Sequence, residues 1–336
     1  MKRIAMKRRT FLKGIGTAAV LPAAGCSVMK NGGSGAKGSI QRRVLGKTGI
    51  EVSMFGFGSH LNKECQANPK LRDRMIKTAF DGGVNFFDVY DHSGFLQFEP
   101  MGKSLKGFRK DAIISACIVF DDDKMQAEID GALVKFQTDY IDCYRLYSLN
   151  EKRVEILTKN KKAGKIRAIG AVSHDTATMM KYLDDYGDSL DYVMVPFNFH
   201  HNNGYFSDPK NYSENDYSAL IPRCEKMGVG ILGIKPMGSD NMIVLAKKQD
   251  MLKKGNVHIA KAMLRYVYQF PEIDCTMPAM NTMEEVKINL QSAHTPAISA
   301  EEKELLNKLS EMAHATKGAY LPDHYRWLEN WATKQV

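Results

Sequence analysis

The sequence lacks paired cysteines. Its six cysteines stand at positions 26, 65, 117, 143, 224 and 275, and no two of them form a C-x-x-C motif. Because iron–sulfur clusters and zinc knuckles take their ligands from closely spaced cysteines, the sequence supports neither kind of centre. Three of the six, Cys117, Cys143 and Cys275, lie inside strand-like runs. Their simplest role is therefore that of small core side chains.

Acidic residues are absent from residues 1–38, which hold eight of the 47 lysines and arginines. The rest of the chain then carries 39 basic residues against 38 acidic ones, so eight of the nine net positive charges lie in residues 1–38. A groove for nucleic acid needs its positive charge in the folded part of a protein. The charge distribution therefore argues against a nucleic-acid partner.

The leader has no apolar run long enough to span a bilayer as a helix. The segment KRRTFLKG places Arg8 and Arg9 before Phe11, and the modest apolar stretch IGTAAVLPAAGC follows. This order resembles a twin-arginine signal, which serves as an address for export. We therefore expect a signal over residues 1–26 and an exported protein.

Two fates of the leader stay open. The segment LPAAGC is similar to a lipoprotein cleavage box that ends at Cys26, although Ala23 stands where such boxes usually have leucine. Acylation of Cys26 would give a membrane-anchored lipoprotein, whereas an ordinary signal-peptidase cut nearby would leave the protein in the periplasm. Residues 27–39 include NGGSGAKGS, a composition typical of a flexible linker.

The segment from residue 40 to residue 315 alternates short apolar runs with longer stretches of helical periodicity. Eight runs are typical of parallel strands buried on both faces, namely residues 52–58, 84–90, 112–120, 140–147, 166–172, 190–197, 229–236 and 272–278. An open doubly wound sheet is the alternative, but GFGSH after the first strand lacks the third glycine of G-x-G-x-x-G. We predict an α/β protein with a (β/α)8 TIM barrel over residues 40–315 and a C-terminal extension over residues 316–336.

In such a barrel, chemistry takes place at the carboxyl ends of the strands. The stretch NFFDVYDHSGF ends the second predicted strand and contains Asp88, Tyr90 and Ser93. The ends of later strands add Cys117, Tyr147, Ser173, His174, Asn198 and Lys235. These side chains form the candidate site.

Several segments in register resemble the aldo/keto reductase family. RRVLGKTGIEVSMFGFGS is similar to that family's N-terminal hairpin and first strand, and NFFDVY with MGKSLKG is similar to its second strand and following helix. GKIRAIGAVSH, GVGILGIKPMG and CTMPAMNTMEEVKINL are similar to its later strands and cofactor loop. The resemblance covers residues 42–312 and implies a barrel with a short N-terminal β-hairpin. It also implies reduction of a carbonyl substrate with NADPH.

Members of this family use an aspartate, a tyrosine, a lysine and a histidine. On this sequence they fall on Asp88, Ser93, Cys117 and Tyr147 respectively. An alkyl hydroxyl is a far weaker acid than a phenol, so Ser93 cannot replace the tyrosine as proton donor. Tyr147 and Tyr90 are the candidate substitutes, and for each the alternative is a packing role.

The resemblance also implies a cofactor site, which would hold NADP through Ser173, His174, Asn198, Gly238, Asn281 and Asn289. Four positions depart from the family pattern. His174 stands where the family has asparagine, Met194 where it has glutamine, and Ile234 where it has the aromatic residue that stacks on nicotinamide. Glu285 stands where the family has a basic residue for the 2′-phosphate.

Lys235 has three open roles. It can anchor an anionic substrate, act as a nucleophilic amine, or pair with a carboxylate such as Asp88. Histidines at positions 92, 174, 200 and 201 map to the same end of the barrel, but no metal-ligand spacing such as H-x-H supports a metal site.

The leading hypothesis is an NAD(P)H-dependent oxidoreductase of unknown carbonyl substrate whose standard catalytic groups are replaced. The alternatives are a non-redox barrel enzyme, such as a metal-assisted lyase or hydrolase, and a non-catalytic ligand-binding protein of the cell envelope. Each predicts a small-molecule partner, and the sequence leaves the oligomeric state open.

Overall fold

The computed structural model describes residues 39–58, 67–91, 96–117, 122–200, 217–238, 241–255 and 257–315. The predicted signal with Cys26, residues 27–38 of the predicted linker and the predicted C-terminal extension lie outside the described residues. So do Ser93, His92 and His201. The predictions made for these segments and side chains therefore stay predictions.

The described residues form a barrel of eight parallel strands. The strands are β3 (Phe57–Gly58), β4 (Phe86–Tyr90), β5 (Ile113–Cys117), β6 (Ile141–Leu146), β7 (Ile166–Val172), β8 (Tyr192–Pro196), β9 (Gly230–Ile234) and β12 (Cys275–Met277). Each strand pairs with the next one in this list, so their order around the sheet follows their order in the chain. Isolated bridges from Phe55 to Thr276 and from Gly58 to Ala279 join the first strand to the last. The predicted (β/α)8 barrel is confirmed.

A short antiparallel hairpin precedes the barrel. Strand β1 (Arg42–Val44) pairs with β2 (Glu51–Ser53), so the predicted N-terminal hairpin is also confirmed. The prediction of one continuous strand over residues 52–58 is wrong in its first part, because residues 51–53 pair with β1 and only Phe57 and Gly58 pair with β4. A second small hairpin joins β10 (Lys253–Lys254) to β11 (Val257–His258).

Helices connect the strands and surround them. They are α1 (Pro69–Asp81), α2 (Phe98–Leu105), α3 (Met125–Phe136), α4 (Glu151–Lys162), α5 (Thr176–Tyr186), α6 (Tyr217–Met227), α7 (Asn241–Lys248), α8 (Ile259–Tyr268), α9 (Met283–His294) and α10 (Ala300–Ala315). Among the described residues, no helix has both the length and the apolar character needed to cross a membrane.

Two apolar layers hold the barrel together, because successive residues of a strand point to opposite faces. Phe86 and Met194 belong to a cluster that fills the barrel interior, whereas Phe87 and Tyr144 belong to the larger cluster between strands and helices. Cys117, Cys143 and Cys275 are buried in the strands, as the sequence predicts. A filled interior leaves the carboxyl ends of the strands as the place for polar side chains.

Candidate active site

Asp88 and Arg145 form a buried ion pair inside the barrel. Arg145 Nη1 donates to Asp88 Oδ1 at 2.6 Å, and Arg145 Nη2 donates to Asp88 Oδ2 at 3.0 Å. The residues are only 8% and 2% exposed, respectively. Such a two-pronged contact matches the planar guanidinium to the planar carboxylate and fixes the orientation of both groups.

Strand register explains how this pair forms. Asp88 lies on β4 opposite Ser115 of β5, and Arg145 lies on β6 opposite Cys117 of β5. The arginine reaches across β5, and its Nη1 also donates to Ser115 Oγ at 2.8 Å. A small side chain at position 115 leaves the space for this contact, so three neighbouring strands supply one charged network.

Burial and the charges of the network shift the pKa values of its side chains. Burial raises the pKa of Asp88, and the Arg145 guanidinium opposes that rise. Burial also raises the pKa of the Cys117 thiol to about 11. Cys117 is therefore a neutral thiol at physiological pH. Because the thiolate is the reactive form of cysteine, this side chain is not a nucleophile there.

Tyr147 directly follows β6 and lies two residues after Arg145, so the two side chains point to the same face of the strand. The half-buried Tyr147 packs against the interior cluster, and its ring lies 6.2 Å from that of His174. Burial raises the pKa of the Tyr147 phenol above its usual value, and the charge of Arg145 opposes part of that rise. The phenol therefore keeps its proton at neutral pH.

The absence of a side chain at Gly170 leaves room for the Tyr192 ring beside this network. Gly170 lies on β7 between Arg145 of β6 and Tyr192 of β8 in the strand register. A Cβ atom on Gly170 would lie 2.2 Å from Cζ of Tyr192, so the tyrosine ring covers the glycine. The ring therefore extends from β8 towards Arg145 and fills the interior beneath the polar groups.

Lys235 directly follows β9 and has a left-handed backbone conformation, with φ of 58°. Burial lowers the pKa of its amine well below the usual value. Burial likewise lowers the pKa of His174, and the charge of Lys235 lowers it further, so these two side chains interact. Lys235, His174 and Tyr147 thus meet at the carboxyl ends of β9, β7 and β6.

Asn198 connects the loops that follow β8 and β9. Its Nδ2 donates to the Lys235 carbonyl at 3.2 Å, and its Oδ1 accepts from the His200 backbone at 2.9 Å. The His200 ring contacts Ser310 Oγ on α10 through Nδ1, at 2.7 Å. Among the described residues, these two contacts use one N–H group and one acceptor lone pair of the Asn198 amide.

The other predicted cofactor residues occupy two regions. Ser173 follows β7, and its Oγ accepts from the Asp175 backbone at 3.1 Å. Gly238 closes a turn after β9, where its N–H donates to the Lys235 carbonyl at 3.0 Å. Asn281 precedes α9, and Asn289 is buried within that helix.

Glu285 caps the start of α9. Its Oε2 accepts from the backbone N–H groups of Asn281 and Thr282, and Thr282 Oγ1 accepts from the Glu285 backbone. These reciprocal contacts form a capping box. A carboxylate therefore stands at this helix N-terminus, in the company of Glu284.

Tyr90 ends β4, in register with Cys117. The predicted strand thus does continue as far as Tyr90, which places its side chain on the same face as Asp88. Within the described ranges, no group of three or more His, Cys, Asp or Glu side chains is arranged to hold a metal ion.

Comparison with known proteins identifies the barrel. Residues 54–311 match the sequence profile of the Aldo/keto reductase family. The chain belongs to the aldo/keto reductase family. This aldo/keto reductase-like chain is 24% identical to L-galactose dehydrogenase of Arabidopsis thaliana over 324 residues, which cover 84% of this chain and 97% of the plant protein. It is 30% identical to aldo-keto reductase YhdN of Bacillus subtilis (strain 168) over 148 residues, covering 38% of this chain and 45% of that protein.

Solved structures of aldo/keto reductases share the fold. The apo form of aldo-keto reductase AKR11C1 from Bacillus halodurans superposes with a TM-score of 0.62 at 20% identity, covering 80% of this chain and 96% of that one. Its holo form superposes with a TM-score of 0.61 at 21% identity. In this aldo/keto reductase-like barrel, a phenol, an amine and a charged pair therefore occupy the end at which barrel enzymes act.

Proposed function

We propose that this aldo/keto reductase-like oxidoreductase binds a nicotinamide cofactor and reduces a carbonyl substrate, with Tyr147 as its proton donor. The Asp88–Arg145 pair is the observation that carries the proposal. A carbonyl reductase needs a proton or a strong dipole at the oxygen atom where negative charge develops. A phenol beside a fixed cation supplies both.

Arg145 takes the part that the family gives to a lysine. By resemblance that lysine falls on Cys117, whose neutral thiol supplies no positive charge. Arg145 stands opposite Cys117 on the next strand and makes the ion pair with Asp88. The positive charge would thus come from β6 instead of β5, while the aspartate stays on β4.

Tyr147 is suited to the donor role because it is protonated at neutral pH and faces the mouth of the barrel. Its Oη–H would donate to the substrate oxygen, and the guanidinium of Arg145 would stabilise the phenolate that remains. Asp88 would hold the guanidinium in position. Tyr90 keeps the same part as an alternative donor, because it ends the neighbouring strand β4.

The donor set fits a nicotinamide dinucleotide. Ser173 and Asn198 offer neutral hydrogen-bonding groups at the ends of β7 and β8, where a carboxamide can be held. The bound cofactor would supply the hydride. The N-terminus of α9 would lie at the ribose, as the resemblance implies, and Asn289 would lie near the adenine.

Calorimetric titration of the purified protein with NADH and NADPH tests the proposal, after the isolated protein has been checked for bound nucleotide by its absorbance. We expect micromolar or tighter binding of at least one nucleotide. Absence of binding to folded, nucleotide-free protein would exclude a nicotinamide-dependent reaction.

We also expect NADH to bind more tightly than NADPH, because the Glu285 carboxylate repels a 2′-phosphate at the start of α9. The variant Glu285→Gln should bind NADPH about fivefold more tightly, since a charge contact near a surface contributes on the order of 1 kcal/mol. Glutamine at this position can keep the capping box, so the helix should remain intact. Titration of both nucleotides into both proteins measures the effect.

The matched control is Glu284→Gln, which removes the neighbouring charge outside the capping box. We expect a smaller gain in NADPH affinity from this variant. An unchanged ratio of NADPH to NADH affinity in Glu285→Gln would contradict the assignment of Glu285 to the 2′ position.

A further inference from the structure

Lys235 has an unusual backbone for its place in the fold. Among the described non-glycine residues, positive φ values occur at Gln137, Lys235 and Asp250. Gln137 directly follows α3, and Asp250 lies just after α7, where chain reversals commonly use this conformation. Lys235 instead follows a barrel strand directly, and a left-handed conformation at a non-glycine residue carries strain on the order of 1 kcal/mol or more.

Neighbouring groups hold the Lys235 backbone in this conformation. Its carbonyl accepts from Asn198 Nδ2 at 3.2 Å and from the Gly238 N–H at 3.0 Å. The N–H of Phe197 donates at 2.8 Å to the carbonyl of Ile234, the residue before Lys235. Loops from two strands thus fix the direction in which the lysine side chain leaves the barrel wall. Strain kept in place by such contacts is a feature of functional positions.

The lysine amine lies in surroundings that favour its neutral form. Its Nζ atom is buried. Burial lowers the pKa of this amine well below the usual value, because the charged form loses its hydration. His174 lies close enough to Lys235 for the two side chains to interact electrostatically, and the Tyr147 ring lies 6.2 Å from the His174 ring. A neutral amine is a nucleophile, whereas an ammonium group is not.

We propose that Lys235 forms a Schiff base with a small aldehyde or ketone that enters the mouth of the barrel. The geometry supports this by gathering a buried amine, a protonated phenol and an imidazole at the ends of three strands. No feature of the proposed reductase mechanism uses Lys235, so this is a second activity of the same mouth.

The step balances without any redox partner. The Nζ lone pair attacks the carbonyl carbon, and the carbonyl π pair moves to oxygen, which takes a proton. The nitrogen loses a proton, which gives the carbinolamine. Its hydroxyl group then takes up a second proton and leaves as water while the nitrogen lone pair forms the C=N bond of the protonated Schiff base. Tyr147 belongs to this cluster as a protonated phenol and can give the proton to the oxygen. Hydrolysis reverses the step, so the adduct is transient unless it is reduced from outside.

Reductive trapping with glycolaldehyde tests the proposal. The full protein is incubated at neutral pH with millimolar glycolaldehyde and sodium cyanoborohydride, without any nicotinamide nucleotide. Peptide mass spectrometry then gives the labelling rate of each lysine. An ordinary lysine near pKa 10.4 is almost wholly protonated at this pH, so Lys235 should be labelled at least about tenfold faster than the exposed lysines.

Two variants identify the labelled site. Lys235→Gly removes the amine and favours the same left-handed backbone, so the fast phase of labelling should disappear while the circular dichroism spectrum is unchanged. Lys161→Arg is the matched control, since Lys161 pairs with Asp191 just before β8, at the opposite end of the barrel. That variant should keep the fast phase.

Labelling of Lys235 no faster than that of the exposed lysines would overturn the proposal, as would a fast phase that survives in Lys235→Gly. The labelling rate of each lysine is measured in the unaltered protein, so the proposal can be tested even if a variant misfolds. Because no nicotinamide is present, the result is independent of the titrations that test the reductase proposal.

Discussion

Replacement of Arg145 by methionine is expected to lower the free energy of unfolding by about 3–5 kcal/mol at pH 7, because it leaves the Asp88 carboxylate buried without its cation. The pair is bidentate and both residues are buried, so water cannot take the place of the guanidinium. Chemical denaturation followed by circular dichroism measures the loss. The double variant Asp88→Asn/Arg145→Met should recover part of it, since it removes the stranded charge as well.

The Arg145→Met deficit should also depend on pH. Without the arginine, the pKa of Asp88 rises further, because burial then acts unopposed. A carboxyl group that binds its proton more tightly in the folded state makes the protein less stable as pH rises from about 4 through the folded-state pKa. The deficit should therefore be smaller near pH 4 than at pH 7.

A surface pair provides the control for this effect. Arg223 contacts Asp184 at 2.9 Å, and their side chains are 35% and 62% exposed. Arg223→Met should change the free energy of unfolding by less than about 1 kcal/mol at both pH values. If Arg145→Met were equally mild, the buried pair would be a minor element of the fold, and Arg145 could not be regarded as a rigid part of the site.

Tyr147→Phe is expected to lower the rate of carbonyl reduction by about 10²–10⁴-fold, the range that general acids contribute. The substitution removes the proton and keeps the ring, so nicotinamide binding should be unchanged. The measurement is the single-turnover oxidation of bound reduced nucleotide by the most active member of a panel of carbonyl compounds. Calorimetric titration of the variant checks that the cofactor site is intact.

The same substitution at the other end of β6 serves as a control. Tyr140 immediately precedes this strand, and its ring lies 4.3 Å from the Arg109 guanidinium carbon. Tyr140→Phe should leave the rate within about threefold, because it lies far from the carboxyl ends of the strands. A large loss in Tyr90→Phe together with a small loss in Tyr147→Phe would transfer the donor role to Tyr90.

The barrel could be predicted from the sequence because its strands are buried on both faces. Such strands appear as continuous apolar runs, as in 190–197 and 229–236, and each run contains a strand of the structure. The first strand was the exception. Residues 51–58 are apolar throughout most of their length, but the pattern does not show that the chain leaves the hairpin after Ser53 before it enters the barrel.

The sequence does not identify the partner of Asp88, for a related reason. Arg145 is the second-last residue of β6, two residues inside the end of the predicted strand 140–147, whereas the barrel rule points to the residues at which strands end. A buried strand with one arginine requires a compensating carboxylate, and Arg145 shares the parity of Tyr147. These two observations place Arg145 in the barrel interior. That Asp88 is its partner depends on the register of three strands. Register is a property of long-range pairing, which local patterns do not encode.

The closure of the barrel affects the order in which it can fold. The seam consists of isolated bridges and of hydrogen bonds such as Gly56 N–H to the Thr276 carbonyl, at 2.9 Å, and Thr276 N–H to the Met54 carbonyl, at 3.0 Å. These bonds join the two ends of the described barrel, so nearly the whole chain must lose conformational entropy before they form. The other strands pair with neighbours that are close in sequence. Folding should therefore proceed through a curved open sheet that closes last, and amide exchange at the seam would report that final step.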